Sequence, residues 1–129
     1  MPASTVIPVL AYPDVTEAVA WLSAAFGFAL RLGIGGHRAQ LNAGDGAIVV
    51  TGGGPAEALR GGDSVMIRVD DARAHCERAR ANGATIALEP ADFPYGERQY
   101  TAVDFTGRAW TFSQSLADVD PREWGGVPG

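Results

Sequence analysis

Two histidines, one cysteine and ten arginines without a single lysine bound the chemistry open to this 129-residue chain. The missing lysine excludes a Schiff base on a side chain. A lone Cys76 excludes an intrachain disulfide and any cysteine-rich metal knuckle. A bound divalent ion needs several imidazole, thiolate or carboxylate donors that converge. His37 opens a strand-like segment and has no Glu or His beside it at ligand spacing. His75 sits next to Cys76 on or near the core-facing side of a predicted helix, a place where a histidine is usually structural. What the sequence does offer is a set of side chains suited to holding a flat organic molecule. Tyr95 lies in a Pro-Tyr-Gly loop, Arg98 and Tyr100 alternate along a strand, and Gln40, Met66, Arg68 and Thr111 lie on other strands.

Composition removes several function classes. The net charge of −5 and the absence of a basic stripe argue against a nucleic-acid partner, whose phosphates would be repelled. No apolar run approaches a membrane span, and the first residues lack a basic start followed by an apolar stretch. A soluble, cytoplasmic protein with no membrane partner is the expectation. At 47% hydrophobic residues, positions 1–129 are expected to form one domain around one core.

The elements that must position these side chains come in two similar sets. VLAYPDVTEAVAWLSAAFGF recurs as MIRVDDARAHCERARANGA, with Val9 over Met66, Leu10 over Ile67, Tyr12 over Val69 and Asp14 over Asp71 at a constant offset of 57. In the first set, Val6–Tyr12 is β-prone and Asp14 with Glu17 marks a helix start. Val15, Ala18, Val19, Leu22 and Phe26 then recur at helical spacing, and Gly27 ends the helix. FALRL, HRAQLN and AIVVT follow as three strands separated by glycine turns. In the second set SVMIRV is a strand, Asp71 starts a helix to about Asn82, and TIALEP, RQYTAV and AWTFSQ are strands. Asp104-Phe-Thr-Gly107 supplies the turn between the last two. The order is β-α-β-β-β twice: module one about 5–51, a glycine-rich linker 52–62, module two about 63–116, and a tail 117–129 that Trp124 anchors. Neither module is large enough to bury a core alone, so the two must pair.

AYPDVTEAVAWLSAAFGF, MIRVDD, PYGERQY and DFTGRAWTF, in this order and spacing, resemble the vicinal oxygen chelate superfamily of glyoxalase I, extradiol dioxygenases, fosfomycin-resistance enzymes and bleomycin-resistance proteins. The resemblance runs from about Val6 to Phe112, with Phe105 in place of the proline in the family's turn. It implies an α+β fold of two tandem βαβββ modules, a cupped mixed sheet with helices outside, and a homodimer. Catalytic members hold a divalent ion through His, Gln or Glu at set positions. Here those positions carry Ile7, Ser64, Thr111 and a residue around Val49–Val50. Isoleucine and valine cannot ligate, and hydroxyls are poor substitutes for imidazole and carboxylate. The expectation is therefore no metal, no cofactor and no catalytic residue.

The relatives that work without metal bind and sequester antibiotics. By resemblance to them, Tyr95 takes the place of a drug-stacking tryptophan and His37 that of a phenylalanine, so these two would clamp a flat ring. The acidic residues that meet a cationic drug in those relatives are replaced by Gly33-Ile-Gly-Gly36, which favours a neutral aromatic ligand. If Thr111 faces the cavity, alternation turns Ala109 and Ser113 the same way and sends Trp110 and Phe112 under a helix. By the same logic Ser64, Met66 and Arg68 point inward, as do Ile7, Val9 and Ala11. Arg98 and Tyr100 are expected to line the pocket from the seventh strand and Gln40 from the third. The leading expectation is a homodimer sequestering a small aromatic molecule. The alternatives are a lyase or dioxygenase of the same fold with a non-standard metal or acid–base site, and a scaffold with a vestigial pocket.

Overall fold

The computed structural model describes residues 6–52 and 64–116. The expected linker beyond Gly52 and the expected tail with Trp124 lie outside the described residues. The element order is β1 (Val9–Tyr12), α1 (Val15–Phe26), β2 (Ala29–Ile34), β3 (Arg38–Ala43), β4 (Gly46–Gly52), β5 (Ser64–Arg68), α2 (Ala72–Ala81), β6 (Thr85–Phe93), β7 (Glu97–Val103) and β8 (Ala109–Ser115). They form two four-stranded mixed sheets, β1-β4-β3-β2 and β5-β8-β7-β6, with no closed barrel. In each sheet a three-stranded antiparallel meander, β2-β3-β4 or β6-β7-β8, takes one further strand in parallel, β1 beside β4 and β5 beside β8. The architecture is the α+β arrangement expected. Among the described residues no helix is long and apolar enough to cross a membrane.

Both helices start where the repeat places them. Asp14 and Asp71 hold extended backbone angles and accept hydrogen bonds from the Glu17 and Ala74 amides, each at 3.0 Å. Gly27 ends α1 at φ 78°, and a Cβ there would lie 3.1 Å from the Arg78 guanidinium. That contact is itself a cap. Arg78 donates to the Ala24 and Ser23 carbonyls at 2.9 and 3.2 Å, placing a cation from α2 at the negative end of α1.

One core serves both modules. Leu10, Tyr12, Val15, Ala18, Leu22 and Phe26 pack with Ala72, Cys76, Tyr100, Trp110 and Phe112. Phe26 carries much of the junction, with its ring 4.8 Å from Phe112 and 5.5 Å from Trp110. Trp21, off the main stripe of α1, sets its ring against Phe26 and Phe105. Phe105 thus supplies aromatic surface where the family's turn has proline, and it also stacks on Tyr12.

The polar seam between modules is Asp104, in the turn before β8. Its carboxylate is buried and accepts from Tyr12 Oη at 2.6 Å, Trp110 Nε1 at 3.0 Å, both the amide and hydroxyl of Thr106, and the Arg108 amide. Burial and the adjacent carboxylate push the Tyr12 phenol far above its usual range. Arg108 lies over the Tyr12 ring and donates to the Ala11 carbonyl at 3.2 Å.

Candidate functional site

Each sheet has one face against the helices and one turned away from them. Residues opposite one another in a ladder share a face, so the registers define rows across the outward-turned faces. In the first sheet Val9, Val49, Gln40 and Leu32 form one row. In the second sheet Met66, Thr111, Thr101 and Leu88 form the matching row. The rows correspond by strand order, β1-β4-β3-β2 against β5-β8-β7-β6, and Val9 and Met66 are also related by the 57-residue offset. Both have large apolar side chains at the ends, Val9 and Leu32 in one and Met66 and Leu88 in the other, all about half exposed. Both have a hydrogen-bonding group inside. Such exposed apolar pairs in a single chain leave unburied surface that a ligand or a partner would cover.

The second sheet adds a polar network to its row. Thr111 Oγ1 is 3.2 Å from Thr101 Oγ1 and 3.4 Å from Ser64 Oγ. One row along, Tyr95 Oη donates to Gln99 Oε1 at 3.4 Å, and Gln99 Nε2 donates to Ser113 Oγ at 3.2 Å. Ser113 donates in turn to Glu97 Oε1 at 2.8 Å, and Arg68 stands 3.8 Å from the same oxygen. The β6–β7 turn folds Tyr95 onto Phe93, ring centroids 5.4 Å apart and nearly parallel, and puts two aromatic faces beside this network.

Four of the expected residues, Met66, Arg68, Tyr95 and Thr111, therefore meet on the second sheet or its turn. Gln40 lies on the corresponding face of the first sheet, buried and accepting from Arg31 at 2.9 Å. His37 sits exposed in the β2–β3 turn, where its carbonyl accepts from the Gly52 amide. It belongs to the first sheet, with no described contact to Tyr95.

Two placements need correction. Tyr100 does not face the same way as Thr111: it stands opposite Phe112, fully buried against α2. Its hydroxyl bonds His75 Nδ1, while His75 Nε2 donates to the Phe26 carbonyl at 2.8 Å. The donation from Nε2 leaves Nδ1 as the acceptor of the Tyr100 proton, and burial holds the His75 pKa below its usual value. Arg98, two residues before Tyr100, is on that same helix-side face and is held by Asp92 at 2.6 Å. The residues that face outward from β7 are Glu97, Gln99 and Thr101.

The positions at which metal-dependent members of the superfamily this chain resembles carry ligands hold hydroxyl and hydrocarbon side chains here. Ser64 and Thr111 present hydroxyls already bonded to neighbours, Ile7 and Val49 present hydrocarbon, and no group of three or more His, Cys, Asp or Glu converges among the described residues. These side chains do not fit a divalent ion.

Residues 5–112 match the family model for the Glyoxalase/Bleomycin resistance protein/Dioxygenase superfamily. The chain belongs to this superfamily. Among solved structures it is similar to TioX from Micromonospora sp. ML1, at 36% identity and a TM-score of 0.73 over 88% of this chain and 100% of that one. A glyoxalase/bleomycin resistance protein from Streptomyces sp. CB03234 shares 24% identity, with a TM-score of 0.64 over 84% of this chain and 100% of that one. The fosfomycin resistance protein FosX from Listeria monocytogenes shares the fold at 15% identity, with a TM-score of 0.73 over 89% of this chain and 93% of that one. No curated protein matches.

Proposed function

We propose that this protein is a cytoplasmic homodimer that binds and sequesters a small, neutral aromatic molecule, in the manner of the superfamily's bleomycin-resistance members. The observation that carries this reading is the row Met66–Thr111–Thr101–Leu88 of the second sheet, which Val9–Val49–Gln40–Leu32 of the first repeats at its exposed apolar ends while Val49 and Gln40 are buried. Apolar ends around a hydrogen-bonding middle suit a flat ring with a few polar substituents. Tyr95 and Phe93 supply stacking surface at one end, and His37 is the proposed contact from the first sheet. A second copy would cover the half-exposed apolar side chains of both faces and complete the cavity. The free, buried thiol of Cys76 is in keeping with a reducing compartment.

Isothermal titration with planar nitrogen heterocycles tests the reading. Saturable binding at one or two ligands per dimer, weakened about tenfold by Tyr95→Ala, is the expected result. No saturable heat from any such compound at millimolar concentration would refute it. Calorimetry reads binding without a reporter side chain; the two tryptophans among the described residues, Trp110 on the helix side of its sheet and Trp21 on α1, lie away from the proposed ligand.

A further inference from the structure

One chain of hydrogen bonds on the outward-turned face of the second sheet runs in a single direction. Tyr95 gives its proton to Gln99, Gln99 gives one to Ser113, and Ser113 gives its only proton to Glu97. A carboxylate donates nothing, so Glu97 fixes the sense of the whole chain. Ser113 is buried, with its proton committed and its oxygen occupied. The acceptors that remain at this band are the second Glu97 oxygen, which accepts no hydrogen bond from a described residue, and the outer lone pair of Gln99 Oε1. Arg68 is the neighbouring cation; its side chain is 70% exposed and it balances the Glu97 charge from 3.8 Å.

We propose that Glu97 makes this face select a planar aromatic ligand that carries a hydroxyl or N–H donor on its edge, and makes it discriminate against the same ring without a donor or with a carboxylate. The proposal rests on the reading that this face binds an aromatic molecule. Glu97 acts here as a specificity-determining residue: a donor on the ligand pairs with its second oxygen, whereas an unsubstituted ring leaves that oxygen desolvated and unpaired. Arg68 alone would favour an anion, but the carboxylate beside it cancels that preference.

Three probes separate the possibilities: quinoline, 3-hydroxyquinoline and quinoline-3-carboxylate, each titrated calorimetrically into the full chain and into Glu97→Gln. In the unaltered protein 3-hydroxyquinoline is expected to bind about tenfold or more tighter than quinoline, the ratio of a hydrogen bond to a charged acceptor. The carboxylate is expected to bind weakest. In Glu97→Gln the hydroxyl preference is expected to shrink to about threefold or less. Arg68→Gln is the second variant; it should keep the hydroxyl preference, so the proposal stays testable where Glu97→Gln fails to fold. Equal binding of quinoline and 3-hydroxyquinoline, or tightest binding of the carboxylate, overturns the selection by Glu97 and leaves sequestration standing. A hydroxyl preference that survives in folded Glu97→Gln also overturns it. No binding of any probe overturns the sequestration reading and this proposal with it.

Discussion

Replacing Tyr12 with phenylalanine removes one hydroxyl from the seam that joins the modules, and its cost follows from the geometry. Tyr12 is fully buried on β1, and its hydroxyl reaches the Asp104 carboxylate at 2.6 Å across 92 residues of chain. A hydrogen bond to a charged group contributes about 1.5–3 kcal/mol, and the buried carboxylate keeps its four other donors in the variant. Tyr12→Phe is therefore expected to cost about 2 kcal/mol. For a chain of this length that lowers Tm by about 6–10 °C. Asp104→Asn should cost more, since an amide cannot accept from the Thr106 and Arg108 side and from the Tyr12 and Trp110 side together. Urea unfolding followed by tryptophan emission measures both, because Trp110 itself donates to Asp104. Tyr12→Phe, Asp104→Asn and the double variant form a cycle whose expected coupling is about 1.5 kcal/mol. A Tyr12→Phe cost below about 0.5 kcal/mol with no coupling would show that this seam does not hold the modules together.

Three further outcomes are expected. Burial depresses the His75 pKa, so the folded state favours the neutral ring; the stability this gives is complete above about pH 6.5 and is lost as pH falls below it. His75→Gln can keep both hydrogen bonds and should lose that acid slope, measured as the difference in Tm between pH 7.5 and 5.5. Tyr12 and Tyr100 both have phenol pKa values raised by burial, so stability is present below about pH 10 and is lost above it as the unfolded chain ionises. In an alkaline titration at 295 nm, Tyr12 and Tyr100 should ionise only together with the loss of far-ultraviolet dichroism. Met66→Asp places a charge on a side chain that is 60% exposed in the single chain. It should change the stability of the monomer by less than about 0.5 kcal/mol while abolishing dimerisation in sedimentation equilibrium; an unchanged dimer would remove the second sheet from the interface.

The fold was legible because local signals agreed with one another. Asp14, Gly27 and Asp71 mark helix ends by their own chemistry, and the 57-residue offset forces the second module to repeat the first. The outward face of β5 was legible for the same reason, since Ser64, Met66 and Arg68 follow from the alternation of Ile7, Val9 and Ala11. The seventh strand was not. A four-residue turn from Asp104 to Gly107 would set Tyr100 opposite Thr111. The chain includes a fifth residue, Arg108, whose carbonyl accepts from the Asp104 amide, and Thr101 stands opposite Thr111 instead. One residue of turn length inverts every side chain of the strand, which exchanged Glu97, Gln99 and Thr101 for Arg98 and Tyr100. The hydroxyl run Thr101–Thr111 was the available signal, because paired threonines favour the same face of a ladder. The outward facing of Leu88 and Phe93 does not follow from the sequence, because register shifts along β6 break the simple alternation.

Native mass spectrometry of the full chain with and without 3-hydroxyquinoline tests the shared binding face most directly, since one spectrum reports subunit number, bound organic mass and bound metal. Two subunits carrying one or two molecules of the heterocycle, and no stoichiometric divalent ion, is the expected result. A monomer that takes up none of it, or a tightly held divalent ion in every subunit, would contradict the proposal that paired sheets form a metal-free cavity for an aromatic ligand.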